Sequence, residues 1–414
     1  MLQIFFNPRR KDPRQKGRDK TMKSKAPLKK SVVTARELSP YDRMLLEMVQ
    51  SLGGFNNAHA HIDRADTLAD EYLRHINTTP LEASSLPLSV KQNLTGDLHR
   101  GLAYTEDDLR ERMTRVITRL ISYGTTRLST CIDATSDIAE EGLLAFRVAL
   151  ELKKQFAGQI KIEIGPNPIF GFKTGSGRWE IFVEAAKKAD FISALPEKDD
   201  FIDLQNQDGK VGFRKHLRMV VDLGCELQKE VHIHLDQAND PREAGTETLV
   251  EGLRWIDQPR ITDHSGPTIW AIHMISPSAY SEDRFSRLVD GLLELNIGLI
   301  VCPTAAISMR QLRPINSPTH NSMARVLELC KRKVPIRIGS DNICDVFVPQ
   351  GDGDMLTEIK VGGHAVRFAI PYVWAKLAAG VSLNEVDRAT VGRVLYQDRK
   401  AFYGIDPGWT PAVD

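Results

Sequence analysis

The stretch Asn57-Ala58-His59-Ala60-His61-Ile62-Asp63 sets two imidazoles one residue apart. It follows Leu52-Gly53-Gly54-Phe55-Asn56, which reads as a short strand. Side chains alternate along a strand, so His59 and His61 share a face and can reach one metal ion together. A single His-x-His arises often by chance, and three later stretches give this one its weight. Val231-His232-Ile233-His234-Leu235-Asp236-Gln237 repeats the spacing, Ile272-His273-Met274 ends another β-branched run, and Ile338-Gly339-Ser340-Asp341-Asn342 ends a fourth. Neutral imidazoles with one carboxylate suit Zn2+ or Fe2+ and leave a coordination position for water. Such an ion lowers the pKa of its water towards ~7, and a neighbouring carboxylate can take that proton and pass it on. The plain alternative is a set of structural histidines hydrogen-bonded in a core.

These motifs need elements that bring them together. Strands are expected at the first histidine pair and over 125–132, 161–165, 191–195, 231–235, 268–272, 298–302 and 334–339. Between them lie helical stretches at 105–123, 137–156, 179–188, 212–229, 245–255, 282–295 and 323–331, with more at 355–379 and 383–403. Alternation of this kind makes a parallel sheet, and eight such units point to a closed (β/α)8 barrel. The histidine and aspartate motifs then fall at the ends of strands one, five, six and eight, which converge on the mouth where such barrels hold their chemistry. Residues 64–104, with Pro80, Pro87, Gly96 and Gly101, show no clean periodicity and read as a long functional loop.

Composition narrows the class. The chain has 414 residues, 42% hydrophobic and 26% charged, with net charge +1, as in a globular enzyme without a global field for nucleic acid or acidic membranes. The five cysteines are scattered, with no Cys-x-x-Cys, which points to a reducing, cytoplasmic setting rather than a disulfide frame. No apolar run approaches the ~20 residues of a membrane span. Residues 1–38 form a basic leader with little to bury and are expected to be disordered, leaving residues 39–414 as the barrel.

The run Gly339-Ser340-Asp341-Asn342-Ile343-Cys344-Asp345-Val346-Phe347-Val348-Pro349-Gln350-Gly351, then Asp354-Met355-Leu356, resembles the segment after the last barrel strand in the amidohydrolase superfamily, within its cytosine-deaminase-like branch. Val301-Cys302-Pro303-Thr304 and Pro166-Asn167 are similar too. The resemblance spans about Asn57 to about Leu356. It implies His59, His61, His234 and Asp341 as ligands of one divalent ion, Zn2+ or Fe2+. His273 would polarise the attacked group or orient the water, and Asp341 would also shuttle the proton. Spacing alone does not separate His232 from His234; the His-x-Asp pattern favours His234. Asn167, Asn342, Asp345 and Arg64 are pocket candidates, Arg64 as a holder of a substrate carboxylate.

Two departures shape the expected reaction. Gln237 stands where deaminases of the branch carry a glutamate, and Asn342 replaces a carboxylate of cytosine-specific relatives. Both disfavour cytosine itself and leave Gln237 as a hydrogen-bonding member of the catalytic set. The small β-sandwich common in the superfamily has no counterpart here, so a bare barrel with extra C-terminal helices is expected. The expected substrate is a small nitrogen heterocycle cleaved at a C–N bond, by deamination or amide hydrolysis, in a chain able to form a homo-oligomer. Two further readings are a dinuclear lactonase or phosphotriesterase type bridged by Lys198 and an inactive barrel serving as a binding subunit.

Overall fold

The computed structural model describes residues 38–73, 78–200, 209–308 and 323–403. The leader lies outside the described residues except for Leu38, as does the tail beyond Tyr403. Eight parallel strands carry the site: β1 Phe55–Ala60, β2 Thr125–Asp133, β3 Lys161–Asn167, β4 Ile192–Ala194, β5 Val231–Leu235, β6 Ile269–His273, β7 Ile297–Val301 and β8 Ile336–Ile338. They pair in chain order as β1-β2-β3 and β4-β5-β6-β7-β8. Val, Ile and Leu recur through β5 to β8, as expected where both faces are buried.

Two seams join the sheets. Beside β4, Asp190 N donates to Ile164 O of β3 at 2.8 Å, and Ile164 N returns a bond to the Asp190 carboxylate at 2.8 Å. On the other side, Asp341 N donates to His59 O at 2.8 Å and Asp341 O accepts from His61 N at 3.2 Å. Gly339 makes this second seam geometrically accessible: a Cβ there would lie 2.8 Å from His59 N, O and Cβ. The expected α/β barrel is thus the observed architecture.

Most helices follow their sequence signals. Thr105 caps Glu106–Ser122 by accepting from Asp108 N, with three acidic residues in the first turn. Ser39 caps Pro40–Ser51, and Asp42 of that helix pairs with Lys360 at 2.9 Å. Further on, helices Met355–Ala365 and Pro371–Ala378 replace the single 355–379 helix expected from sequence, while Glu385–Tyr403 matches the expected 383–403 helix. The break falls where Arg367 takes φ +54° and Pro371 starts a new helix. The expected 137–156 helix is also split, because Glu140 and Glu141 sit in left-handed conformation.

The largest correction concerns residues 64–104, which form helices Asp70–Leu73, Pro80–Ser84 and Leu88–Arg100 and a 3-10 turn at Leu102–Tyr104. The prolines that read as loop markers begin helices instead: Pro80 follows the Thr79 capping box, and Pro87 is itself the N-cap of Leu88–Arg100. Lys91 Nζ donates to Phe347 O at 3.3 Å and His99 reaches Asp133 at 3.1 Å, so helix Leu88–Arg100 is tied to the C-terminal mouth. Among the described residues no helix is long and apolar enough to cross a membrane. All five cysteines are free.

Candidate metal centre and pocket

His59 and His61 leave β1 on one face, as alternation requires, and His234 leaves β5 beside them. His59 Nε2 lies 3.2 Å from His234 Nε2 and 3.4 Å from Asp341 Oδ1, and His61 Nε2 lies 3.3 Å from the same oxygen. Metal–nitrogen and metal–oxygen bonds of about 2.0–2.2 Å place tetrahedral ligand atoms about 3.3–3.6 Å apart. The observed separations are close to the edges of that tetrahedron. His273 Nε2 stands slightly farther out, 3.9 Å from Asp341 Oδ2.

The outer nitrogens settle which lone pairs face inward. His234 Nδ1 faces Ala194 O at 3.0 Å and so carries the proton, leaving Nε2 as a bare lone pair. His59 Nδ1 lies 3.7 Å from Cys131 Sγ. With that proton on Nδ1, two lone pairs would meet at 3.2 Å, which requires a cation or a proton between them. Burial pushes His59 down, but the Cys131 sulfur and the Asp341 carboxylate outweigh it and hold a proton there up to about 9. Burial and Arg64 push His61 down to about 3, burial takes His273 down to about 4, and burial with three histidine neighbours holds His234 well below its ordinary value. Burial opposes ionisation of Asp341, yet bonds from His59 and His61 keep its carboxylate well below the usual range. His61, His234 and His273 are thus neutral imidazoles beside an ionised carboxylate, and a divalent ion would take the place of the proton that His59 holds without it.

A second cluster joins β1, β2, β3 and β8. Arg64 Nη1 donates to both oxygens of Asp133 at 2.9 and 2.8 Å, and its Nη2 approaches Asn342 Oδ1 at 3.4 Å. Asn167 Nδ2 donates to Asp133 at 2.7 Å. Asp345 uses one oxygen to accept from Phe347 N and Val348 N, while its other oxygen is buried without a partner. Burial pushes Asp345 up to about 6. Arg64, expected as a holder of a substrate carboxylate, is paired inside the protein with Asp133.

Gln237 Nε2 donates to Glu197 Oε2 at 2.9 Å. Asp236 turns away from the cluster, accepting from Gly245 N and Thr246 N and so capping helix Gly245–Leu253. His232 sits below the site, bonded to Glu230 at 3.0 Å and stacked on Phe191 at 4.2 Å, as a barrel filler. Lys198 lies on the 3-10 turn Pro196–Asp199, and no observation favours the bridge built on it or the inactive barrel.

Sequence reasoning missed Asp133, His99 and Glu197. Asp133 had a signal, since it ends a β-branched strand just where the other site residues end theirs. Glu197 lies in Leu195-Pro196-Glu197-Lys198, a short stretch just past a strand with nothing local to mark the acid. Nothing local marks His99, whose role depends on a helix not expected there.

A parallel (β/α)8 barrel with a histidine–aspartate cluster in its C-terminal mouth is the class this geometry defines. Among solved structures the chain is similar to 5-methylcytosine deaminase from Klebsiella pneumoniae, with TM-score 0.64 and 21% identity over 82% of this chain and 75% of that one. It is similar to N-isopropylammelide isopropylaminohydrolase from Burkholderia multivorans, with TM-score 0.58 and 16% identity over 81% and 74%. Adenine deaminase from Arthrobacter aurescens gives TM-score 0.53 and 13% identity over 84% and 99%. These likenesses establish the fold, and it is the fold that the amidohydrolase resemblance implied. An uncharacterized protein of Haemophilus influenzae is 26% identical over 284 residues, 67% of this chain and 90% of that protein. No protein-family model matches the chain.

Proposed function

We propose that the chain is a hydrolase that cleaves a C–N bond of a small nitrogen heterocycle with the help of one divalent ion, Zn2+ or Fe2+. The observation that carries this reading is the spacing of His59, His61, His234 and Asp341, whose separations of 3.2 to 3.4 Å suit one ion. When bound, the ion supplies Lewis-acid polarisation and an acidified water. Asp341 divides its work: Oδ1 faces His59 and His61, and Oδ2, turned towards His273, holds and returns the proton. His273 is neutral, and its Nδ1 has no partner. Its tautomer is therefore free to place a donor on Nε2 for a developing oxyanion.

The names of the structural neighbours, two deaminases and an aminohydrolase acting on a heterocycle, support the substrate class. Gln237 carries no titratable proton, so proton transfer falls to Asp341. That favours cleavage of a ring or side-chain amide over cytosine-type deamination. Asn167, Asn342 and Asp345 line the other side and orient the ring. The test is metal analysis followed by a panel of pyrimidines, triazines, hydantoins and imidazolones, assayed for ammonia and ring-opened product. One equivalent of metal and turnover lost in His61→Ala are expected. A chain that binds no divalent ion, or binds it and turns over none of the panel, overturns the reading.

A further inference from the structure

Glu197 follows β4 on a turn that the fold holds rigidly. His216 Nδ1 meets Asp199 Oδ2 at 2.6 Å and its Nε2 accepts from Leu195 N at 3.3 Å, while the Asp199 carboxylate accepts from Phe172 N. The turn is thereby pinned on both sides of Glu197. Its carboxyl group then reaches the end of β5 twice: Oε1 accepts from Asp236 N at 2.5 Å and Oε2 accepts from Gln237 Nε2 at 2.9 Å. Asp236 stands at φ +57°, so Glu197 clamps the one left-handed residue between His234 and Gln237 as well as the side chain beyond it. Burial, Glu243 and Asp236 raise Glu197 well above its ordinary value. Neutral or ionised, each of its oxygens keeps a lone pair for the donor it faces. Among the described residues, Gln237 Oε1 has no hydrogen-bond partner, so the bond to Glu197 alone decides which way round the amide stands.

We propose that Glu197 is a positioning residue that holds the Gln237 amide with its oxygen turned towards the substrate, so that the pocket selects heterocycles presenting an N–H donor at that edge. The substrate half rests on the hydrolase reading; the amide's orientation does not. An acceptor facing an unprotonated ring nitrogen would leave both groups unpaired, and a site built around one hydrogen bond rejects the partner that lacks it.

The test uses the full chain labelled with 15N-glutamine, the Gln237 amide pair being assigned by its absence from Gln237→Leu. In the wild type, one geminal proton is expected downfield and shielded from water exchange, and Glu197→Ala is expected to return the pair to free-amide positions. A wild-type pair already at free-amide positions overturns the assignment, and this reading stands even if Glu197→Ala does not fold. A pair unmoved by Glu197→Ala overturns it as well. For selection, kcat/KM for hydantoin is compared with that for its N-methyl derivatives. A loss of at least about tenfold is expected for one of them in the wild type, shrinking to near unity in Gln237→Leu. Equal use of all of them overturns the selection. No turnover of any heterocycle sinks the hydrolase reading and the selection together, while the amide spectrum still decides the role of Glu197.

Discussion

Arg112 offers the sharpest test of how the mouth is held. It lies on helix Glu106–Ser122 with 1% of its surface exposed. Its guanidinium donates to Asp63 O at 2.7 Å, Ala65 O at 2.9 Å and Ala103 O at 2.5 Å, and Nε donates to Asp108 at 2.8 Å. The first two carbonyls belong to the turn that leaves His61, and the third lies in the 3-10 turn that follows helix Leu88–Arg100. Arg112→Leu keeps the apolar stem and removes every donor. Three carbonyls then lose a partner in the interior, a loss of about 3–5 kcal/mol once relaxation is allowed for. At roughly 1.2 °C per kcal/mol for a chain of this size, the melting temperature falls by ~4–6 °C. The turn after His61 also loosens, and metal affinity falls about tenfold, the usual scale for groups that support a ligand. Calorimetry and metal retention after dialysis measure the two effects. A variant melting within about 2 °C of the wild type, with its metal intact, refutes the argument that these bonds hold the site.

Asp341→Asn is expected to remove activity and lose the ion on dialysis while the barrel stays folded, checked by metal analysis and far-ultraviolet circular dichroism. Asp133→Asn leaves Arg64 buried beside an amide, and stability drops by about 3–5 kcal/mol, read from chemical unfolding. Gly339→Ala drives a Cβ into the His59 backbone, so metal binding and melting temperature fall together. For pH, His61 and His273 are held down to about 3 and 4, against 6.5 when unfolded. Between those values the unfolded chain binds protons that the folded chain refuses, so stability of the chelator-treated protein rises with pH and falls as pH drops below 6.5. His273→Gln should flatten that slope, and an unchanged slope would contradict the assignment.

Much of this architecture is legible in the chain because β-branched runs mark the strands and the chemistry sits at their ends. His59, His61, His234, His273 and Asp341 were each findable that way, and each lies in the cluster. What escaped depends on contacts between distant segments. Pro80 and Pro87 suit a loop or a helix start equally, and the helices over the mouth exist because their faces pack on the barrel and His99 reaches Asp133. Arg64 reads as a holder of a substrate carboxylate because its partner in the fold, Asp133, is 69 residues away. Glu197 gains meaning only beside Gln237, just past the end of the next strand.

Asp341 is both the last stitch of the barrel, through its bonds to His59 and His61 backbone groups, and the carboxylate of the cluster. A chain emerging from the ribosome therefore has neither a finished wall nor a working centre until that residue is free to swing back onto the segment made nearly three hundred residues earlier. Maturation and ion capture become one event, and a polypeptide cut short before this aspartate would be exposed to proteases and inert at the same moment.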